Sequence, residues 1–340
     1  MKAATRNILI AAGAGAGLFA RSAIRRRGLP SLRNQTVLIT GGSRGLGLAL
    51  AHSFAREGCR IAICARDTVE LEAARRDLHL GDDLLALECD VTDRAQVDAA
   101  IEHASRRFGG IDVLVNNAGE IQVGPVESMT LDDFERAMQV MFWGGVYPTL
   151  SVLPQMKARR AGRIVNITSI GAKVAVPHLL PYTCAKFAMI GFSEGLRSEL
   201  AGRGIKVITI APGLMRTGSH VNASFKGDRE HEALWFSLGA TLPGISMSAE
   251  RAARQIVEAT RRGDAEKILG TPANLVARLH ALFPGSTADI LGWVNRILLP
   301  SGTDRGRRRG RETGVLGTPL MTVLTALGRR AARRLLQYAA

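Results

Sequence analysis

The sequence predicts an α/β fold: a single doubly wound domain of about seven parallel strands with helices on both faces. Three observations carry that prediction. Short apolar runs alternate with amphipathic helical stretches along most of the 340 residues. A glycine-rich stretch stands at the first strand-to-helix junction. The composition, 37 Gly with 5% aromatic and 46% hydrophobic residues, suits a sheet protein with many tight strand-to-helix turns.

The first strand is "TVLIT" (36–40), followed by "RIAICA" (60–65), "LLALEC" (84–89), "IDVLVNNAG" (111–119), "GRIVNITS" (162–169), "IKVITIAPG" (205–213) and "EKILG" (266–270). Most of these runs are apolar at nearly every position, as in strands covered on both faces by crossover helices. Helical periodicity fills the gaps, most clearly at 93–107, 131–157, 182–201 and 248–262. The predicted domain runs from 34 to 272. A basic, apolar segment (1–33) precedes it and an Arg-rich helical extension (273–340) follows.

The stretch "TGGSRGLG" (40–47) lies between the first strand and the first helix. Gly41, Gly45 and Gly47 let the backbone turn tightly and approach a pyrophosphate, and the helix start offers free N–H groups. The strand-before, helix-after context makes this a dinucleotide-binding loop. A carboxylate that would take the ribose 2′-hydroxyl of NAD is expected at the end of the second strand; Ala65 and Arg66 stand there, and Arg44 sits inside the loop. Two guanidinium groups favour the 2′-phosphate of NADP(H), with NAD(H) the less favoured cofactor and Asp67 the contrary sign. The spacing T-G-x-x-x-G-x-G resembles the short-chain dehydrogenase/reductase family, a Rossmann-type fold. "CDVTD" (89–93), "NNAG" (116–119) and "PG" (212–213) with Thr217 extend the resemblance over about 35–270. It implies that Gly41, Ser43, Arg44, Gly45, Leu46, Gly47, Arg66, Asp90, Val91, Asn117, Ala118, Gly119, Tyr182, Lys186, Pro212, Gly213 and Thr217 bind the cofactor.

The same resemblance implies that Ser169, Tyr182 and Lys186 are catalytic. The chemistry needs these types. Hydride moves between the nicotinamide and a carbon while a proton moves on the oxygen. A tyrosine of reference pKa about 10 is a poor base at neutral pH. An ammonium one helical turn away stabilises its phenolate, and a serine hydroxyl holds the substrate oxygen. Met141 in "VMFWGG" departs from the family, which has an Asn there that holds a proton-relay water. A thioether accepts weakly and cannot donate. Two readings follow: an NADP(H)-dependent ketone/alcohol oxidoreductase, or a catalytically weak NADP(H)-binding scaffold at a membrane.

The formal charge of +15 sits almost wholly in the ends. Residues 1–33 carry seven basic residues and no acids; residues 301–340 carry nine Arg against Asp304 and Glu312. A near-neutral body with two basic ends fits an anionic membrane surface and not a nucleic-acid groove. The apolar run 8–20 is about 19 Å long as a helix, short of the roughly 30 Å of a bilayer core, so it reads as an anchor on the cytoplasmic side. Cys59, Cys64, Cys89 and Cys184 form no CxxC pair; they suggest neither a disulfide framework nor a metal site and read as small core residues. The loop from Pro212 to Met247 is rich in apolar residues, including Leu214, Val221, Phe225, Trp235, Phe236 and Ile245, and predicts a lipophilic carbonyl or alcohol as substrate, with Phe142 and Trp143 adding to its wall. His220 and His231 read as ordinary loop residues. A homo-oligomer is expected. "SGTDRGRRRGRETG" reads as a polar linker, and Leu320, Leu324, Leu327, Ala331 and Leu335 as the apolar face of a last helix capped by Thr318.

Overall fold

The computed structural model describes residues 30–314 and 318–338. The predicted anchor at 8–20 lies outside the described residues.

Seven strands form one parallel sheet: β1 (Thr36–Thr40), β2 (Arg60–Ala65), β3 (Leu84–Glu88), β4 (Val113–Asn116), β5 (Gly162–Ile167), β6 (Ile205–Pro212) and β7 (Glu266–Leu269). Their order is β7-β6-β5-β4-β1-β2-β3. The chain therefore winds outward from β1 to β3, returns to pair β4 with β1, and winds outward again. The crevice where the order reverses, past the carboxyl ends of β1 and β4, is where doubly wound sheets bind ligands. The helices are α1 (Gly45–Ala55), α2 (Thr68–Leu78), α3 (Arg94–Phe108), α4 (Leu131–Met138), α5 (Gly144–Arg159), α6 (Leu180–Glu199), α7 (Arg229–Thr241), α8 (Ala249–Arg262), α9 (Thr271–Leu282), α10 (Pro284–Leu298), α11 (Pro319–Leu324) and α12 (Ala326–Arg334).

The strand pleat sorts the core. Val37 and Ile39 enter one apolar cluster with Leu48, Phe54 and Ile256, while Leu38 enters another with Ile101, Val152 and Met156. Alternate β1 residues thus face α1 and α8 on one side and α3 and α5 on the other. Phe54 is wholly buried, and its truncation to Ala costs about 3–5 kcal/mol. Between β4, β5 and β6 a buried polar chain runs from Thr149 through Asn116, Asn166 and Ser193 to Thr209, in steps of 2.7–2.9 Å.

Five expectations need correction. The helix expected at 131–157 is interrupted by a π-turn, Gln139–Trp143, which inserts an extra residue. Five residues past Trp143, Pro148 has no N–H to donate to the Gly144 carbonyl, so the helical ladder is also broken just after the turn. The loop after β6 folds in part into α7, which Asp228 caps by accepting from the His231 N–H. The polar "linker" is a docked strand: Arg308–Arg309 pairs antiparallel with Ser224–Phe225. In the final helical stretch the inward residues are Met321, Thr325, Gly328, Ala332 and Leu335, while Leu324 and Leu327 are exposed. Small residues face inward because the approach is close: a Cβ on Gly328 would stand 3.1 Å from the His220 ring. Finally, Cys184 is exposed, whereas Cys59, Cys64 and Cys89 are buried. Among the described residues no helix is long and apolar enough to cross a membrane.

Candidate active site

The glycine-rich loop is built from β1 outward. Gly41 and Gly45 have φ of 63° and 58°, which favours glycine. A Cβ on Gly47 would collide with the Gly41 carbonyl oxygen. Asn117 holds this shape: its Nδ2 donates to the Thr40 and Gly41 carbonyls at 2.9 and 3.0 Å. The Asn117 and Ala118 N–H groups both donate to Thr40 Oγ1 at 3.0 Å. Asn117 and Ala118 thus fix the loop against the end of β4. The glycines themselves carry no side chain that would keep a phosphate from the loop backbone, although the Gln337 side chain lies against Gly45.

Beside it, Ser43 Oγ donates to Glu70 at 2.9 Å, and Arg44 forms an ion pair with the same carboxylate. Burial lowers the Arg44 pKa; Glu70 opposes this, while Arg309 and Arg311 add to it. Sequence reasoning missed Glu70, which lies five residues past Ala65 on the first turn of α2. Asp67 is turned to another task, accepting the Val69 and Glu70 N–H groups as the α2 cap. Arg66 is 54% exposed and stands 3.7 Å from Asp90. Asp90 also accepts from Thr92 N and Oγ1 at 2.9 and 2.8 Å. Val91 packs on Gly144, Gly213 donates to the Leu269 carbonyl, and Thr217 is buried just beyond β6.

The predicted proton-transfer residues converge. Ser169 follows β5 and caps the next turn, its Oγ accepting from the Gly171 N–H at 3.0 Å. Tyr182 and Lys186 lie on one face of α6, with Lys186 Nζ 5.9 Å from the Tyr182 ring centroid. A Cβ on Gly171 would lie 3.4 Å from both Ser169 Oγ and Tyr182 Cε1, which brings the two side chains together. Burial raises the Tyr182 pKa, and hydrogen bonding with Ser169 pulls it back down. Lys186 is buried, donates to the Ile167 carbonyl at 2.9 Å, and desolvation lowers its pKa to about 8. Met141 stands where the sequence placed it: its side chain and Lys186 Nζ both lie within 3.8 Å of the Cβ position of Gly119.

The short chain dehydrogenase family pattern matches residues 35–226, the span that holds this loop and these three side chains. The chain belongs to the short-chain dehydrogenase/reductase family. Members of this family are oxidoreductases that bind NAD(P)(H). Dehydrogenase/reductase SDR family protein 7-like from Anopheles gambiae is 40% identical over 204 residues, covering 58% of this chain and 64% of that protein. The chain thus spans less than two thirds of that relative's length. Putative oxidoreductase SadH from Mycobacterium tuberculosis is 33% identical over 263 residues, covering 76% of this chain and 94% of that protein. A solved short-chain dehydrogenase from Streptomyces avermitilis superposes with a TM-score of 0.66 at 29% identity, over 77% of this chain and 98% of that one.

For a member of this family, the wall around Tyr182 is of interest. Ile121, Val176, Leu179, Phe225, Trp235 and Phe236 cluster with its ring. Phe142 and Trp143 do not join that cluster. Trp143 stacks on Tyr147 at 5.7 Å, and Phe142 meets Phe192 edge-on at 6.3 Å, an aromatic group shared by the π-turn, α5 and α6. A buried pair that sequence reasoning missed ties the wall together: His178 Nδ1 lies 2.5 Å from Glu232, whose other oxygen accepts from Trp235 Nε1 at 2.6 Å. His220 is buried, and burial lowers its pKa to about 4, whereas His231 is exposed beside Asp228.

Proposed function

We propose that the protein is an NADP(H)-dependent oxidoreductase that interconverts a ketone or aldehyde and an alcohol on a small lipophilic substrate. The observation that carries this reading is the convergence of Ser169, Tyr182 and Lys186 beside the glycine-rich loop. When bound, the nicotinamide supplies or accepts the hydride. Tyr182 exchanges the proton at the substrate oxygen, Ser169 orients that oxygen, and the Lys186 ammonium favours the phenolate. Arg66 and Arg44 are proposed to hold a 2′-phosphate, with Glu70 competing for Arg44. The apolar wall around Tyr182 favours a lipophilic carbonyl.

The residues outside the family match extend the proposal to a membrane surface. Leu275, Leu282, Phe283, Ile290, Trp293 and Leu298 of the α9–α10 hairpin are 59–71% exposed. Arg330, Arg333 and Arg334 are exposed on α12. Exposed apolar side chains and exposed cations are what an anionic lipid surface takes up. The half-buried aromatic group of the π-turn, α5 and α6, from which Trp143 is exposed, is the face proposed for a homo-oligomer. Met141 beside Lys186 supports a second reading, a weakly catalytic NADP(H)-binding scaffold, because a thioether cannot donate in a proton relay. NADPH oxidation with a panel of lipophilic ketones separates the two: the enzyme turns over, whereas the scaffold binds NADPH and leaves every ketone unreduced.

A further inference from the structure

Gly45 is the first residue of α1, so its N–H is one of the unpaired donors that make a helix start attractive to phosphate. In this structure that N–H is already engaged: it donates to the Leu335 carbonyl at 2.9 Å. Gln337 follows, its Nε2 2.7 Å from the Cβ position of Gly45, so the side chain lies directly on the loop. Asn222, beyond β6, clasps the same residue from the other side. Its Nδ2 donates to the Gln337 backbone carbonyl at 2.9 Å and to Oε1 at 2.7 Å. Leu335–Gln337 therefore spans from the glycine-rich loop to the segment past β6, the two walls of the dinucleotide crevice.

The span is anchored at several points. Leu335 is 3% exposed and belongs to the core cluster that includes Leu46 and Leu48. Ala332 is packed against Gly218. The α12 end is closed by Gln337 N–H donating to the Ala332 carbonyl and Leu336 N–H to that of Arg333. This closure puts Leu336 at φ 55°, where helix ends favour glycine. A leucine in that conformation is strained and held there by its surroundings. The span is thus a clasp under some strain, resting on donors the pyrophosphate needs.

We propose that Leu335–Gln337 is a built-in competitor for the dinucleotide: it occupies the phosphate-binding start of α1 and must leave for the cofactor to bind. The proposal rests on the reading of the glycine-rich loop as the cofactor site. The competent state is then only part of the population, and the apparent Kd is raised in proportion. Asn222→Ala and Gln337→Ala each weaken the clasp, and each lowers the Kd for NADPH on the order of tenfold.

The test is NADPH titration of the full chain and both variants by calorimetry, with amide hydrogen exchange of the unmutated protein. Tighter binding by both variants, with residues 335–338 losing protection as 40–47 gain it on adding NADPH, supports the proposal. Weaker or unchanged binding overturns it. So does joint protection of both segments, which makes the span part of the cofactor site. If neither NADPH nor NADH binds the protein or either variant, the reading of the loop itself fails and the competitor falls with it.

Discussion

Glu70 governs how much of the proposed 2′-phosphate site is available. It accepts from Ser43 and pairs with Arg44, and it is 5% exposed, so Arg44 reaches a phosphate only by sharing or leaving this partner. Arg66 carries less of a burden: among the described residues its ion pair is with Asp90 at 3.7 Å. Ala65→Asp combined with Arg66→Ala should therefore weaken NADPH binding and favour NADH, measured as the ratio of the two Kd values; an unchanged ratio removes the proposed role of Arg66. Lys186 sets the pH dependence. Desolvation puts its pKa near 8, so it is mostly charged at neutral pH and neutral above. Proton loss withdraws the charge that favours the Tyr182 phenolate, so kcat/KM for carbonyl reduction should fall as pH rises through about 8. A profile that stays flat through that pH contradicts the assignment. Ser169, Tyr182, Lys186 and the loop glycines were legible in the sequence because each sits in a short motif at a strand end. Glu70 was not: a glutamate at the start of a helix looks like any first-turn acid, and nothing local signals that it is buried against Arg44.

The elements were legible where periodicity is local. All seven strands appeared within about three residues of their ends, because runs such as "TVLIT" and "RIAICA" have no helical alternative of similar length. Residues 301–314 were misread because their docking is nonlocal. Arg-rich composition resembles a solvated linker, yet Arg307 donates to Asp133 at 2.9 Å and to Gln122 at 3.2 Å. The same Asp133 takes Lys226 at 2.5 Å and the Thr130 N–H at 2.8 Å. Asp133 is 3% exposed and Lys226 4% exposed. Asp133→Ala would strand a buried ammonium, and breaking such a pair costs about 3–5 kcal/mol. Its Tm should drop by several degrees. An unchanged Tm would mean that the network does not fasten the C-terminal strand to the fold. The last helical stretch escaped the hydrophobic pattern for a related reason: Gly328 and Ala332 face inward since only small residues permit so close an approach, and Leu324 and Leu327 turn outward.

Across the whole molecule, the charge lies at the two ends of the sequence and the described exposed apolar surface is concentrated on α9 and α10. Each basic residue near an anionic surface adds about 1 kcal/mol, a contribution that salt screens, whereas apolar contact is not screened. Full-length protein should sediment with anionic vesicles at low salt, release in part at high salt, and release fully in detergent. Protein that stays in the supernatant at low salt rules out the membrane reading, and the α9–α10 face is then a subunit contact. The proposed catalysis is tested more directly by a single atom. Tyr182→Phe removes only the hydroxyl from a ring that packs among Ile121, Val176 and Leu179. General acid catalysis contributes about 10²- to 10⁴-fold. With a ketone that the unmutated protein reduces, Tyr182→Phe should bind NADPH with unchanged affinity while kcat falls at least about a hundredfold. Near-normal turnover by a folded Tyr182→Phe protein would contradict the account.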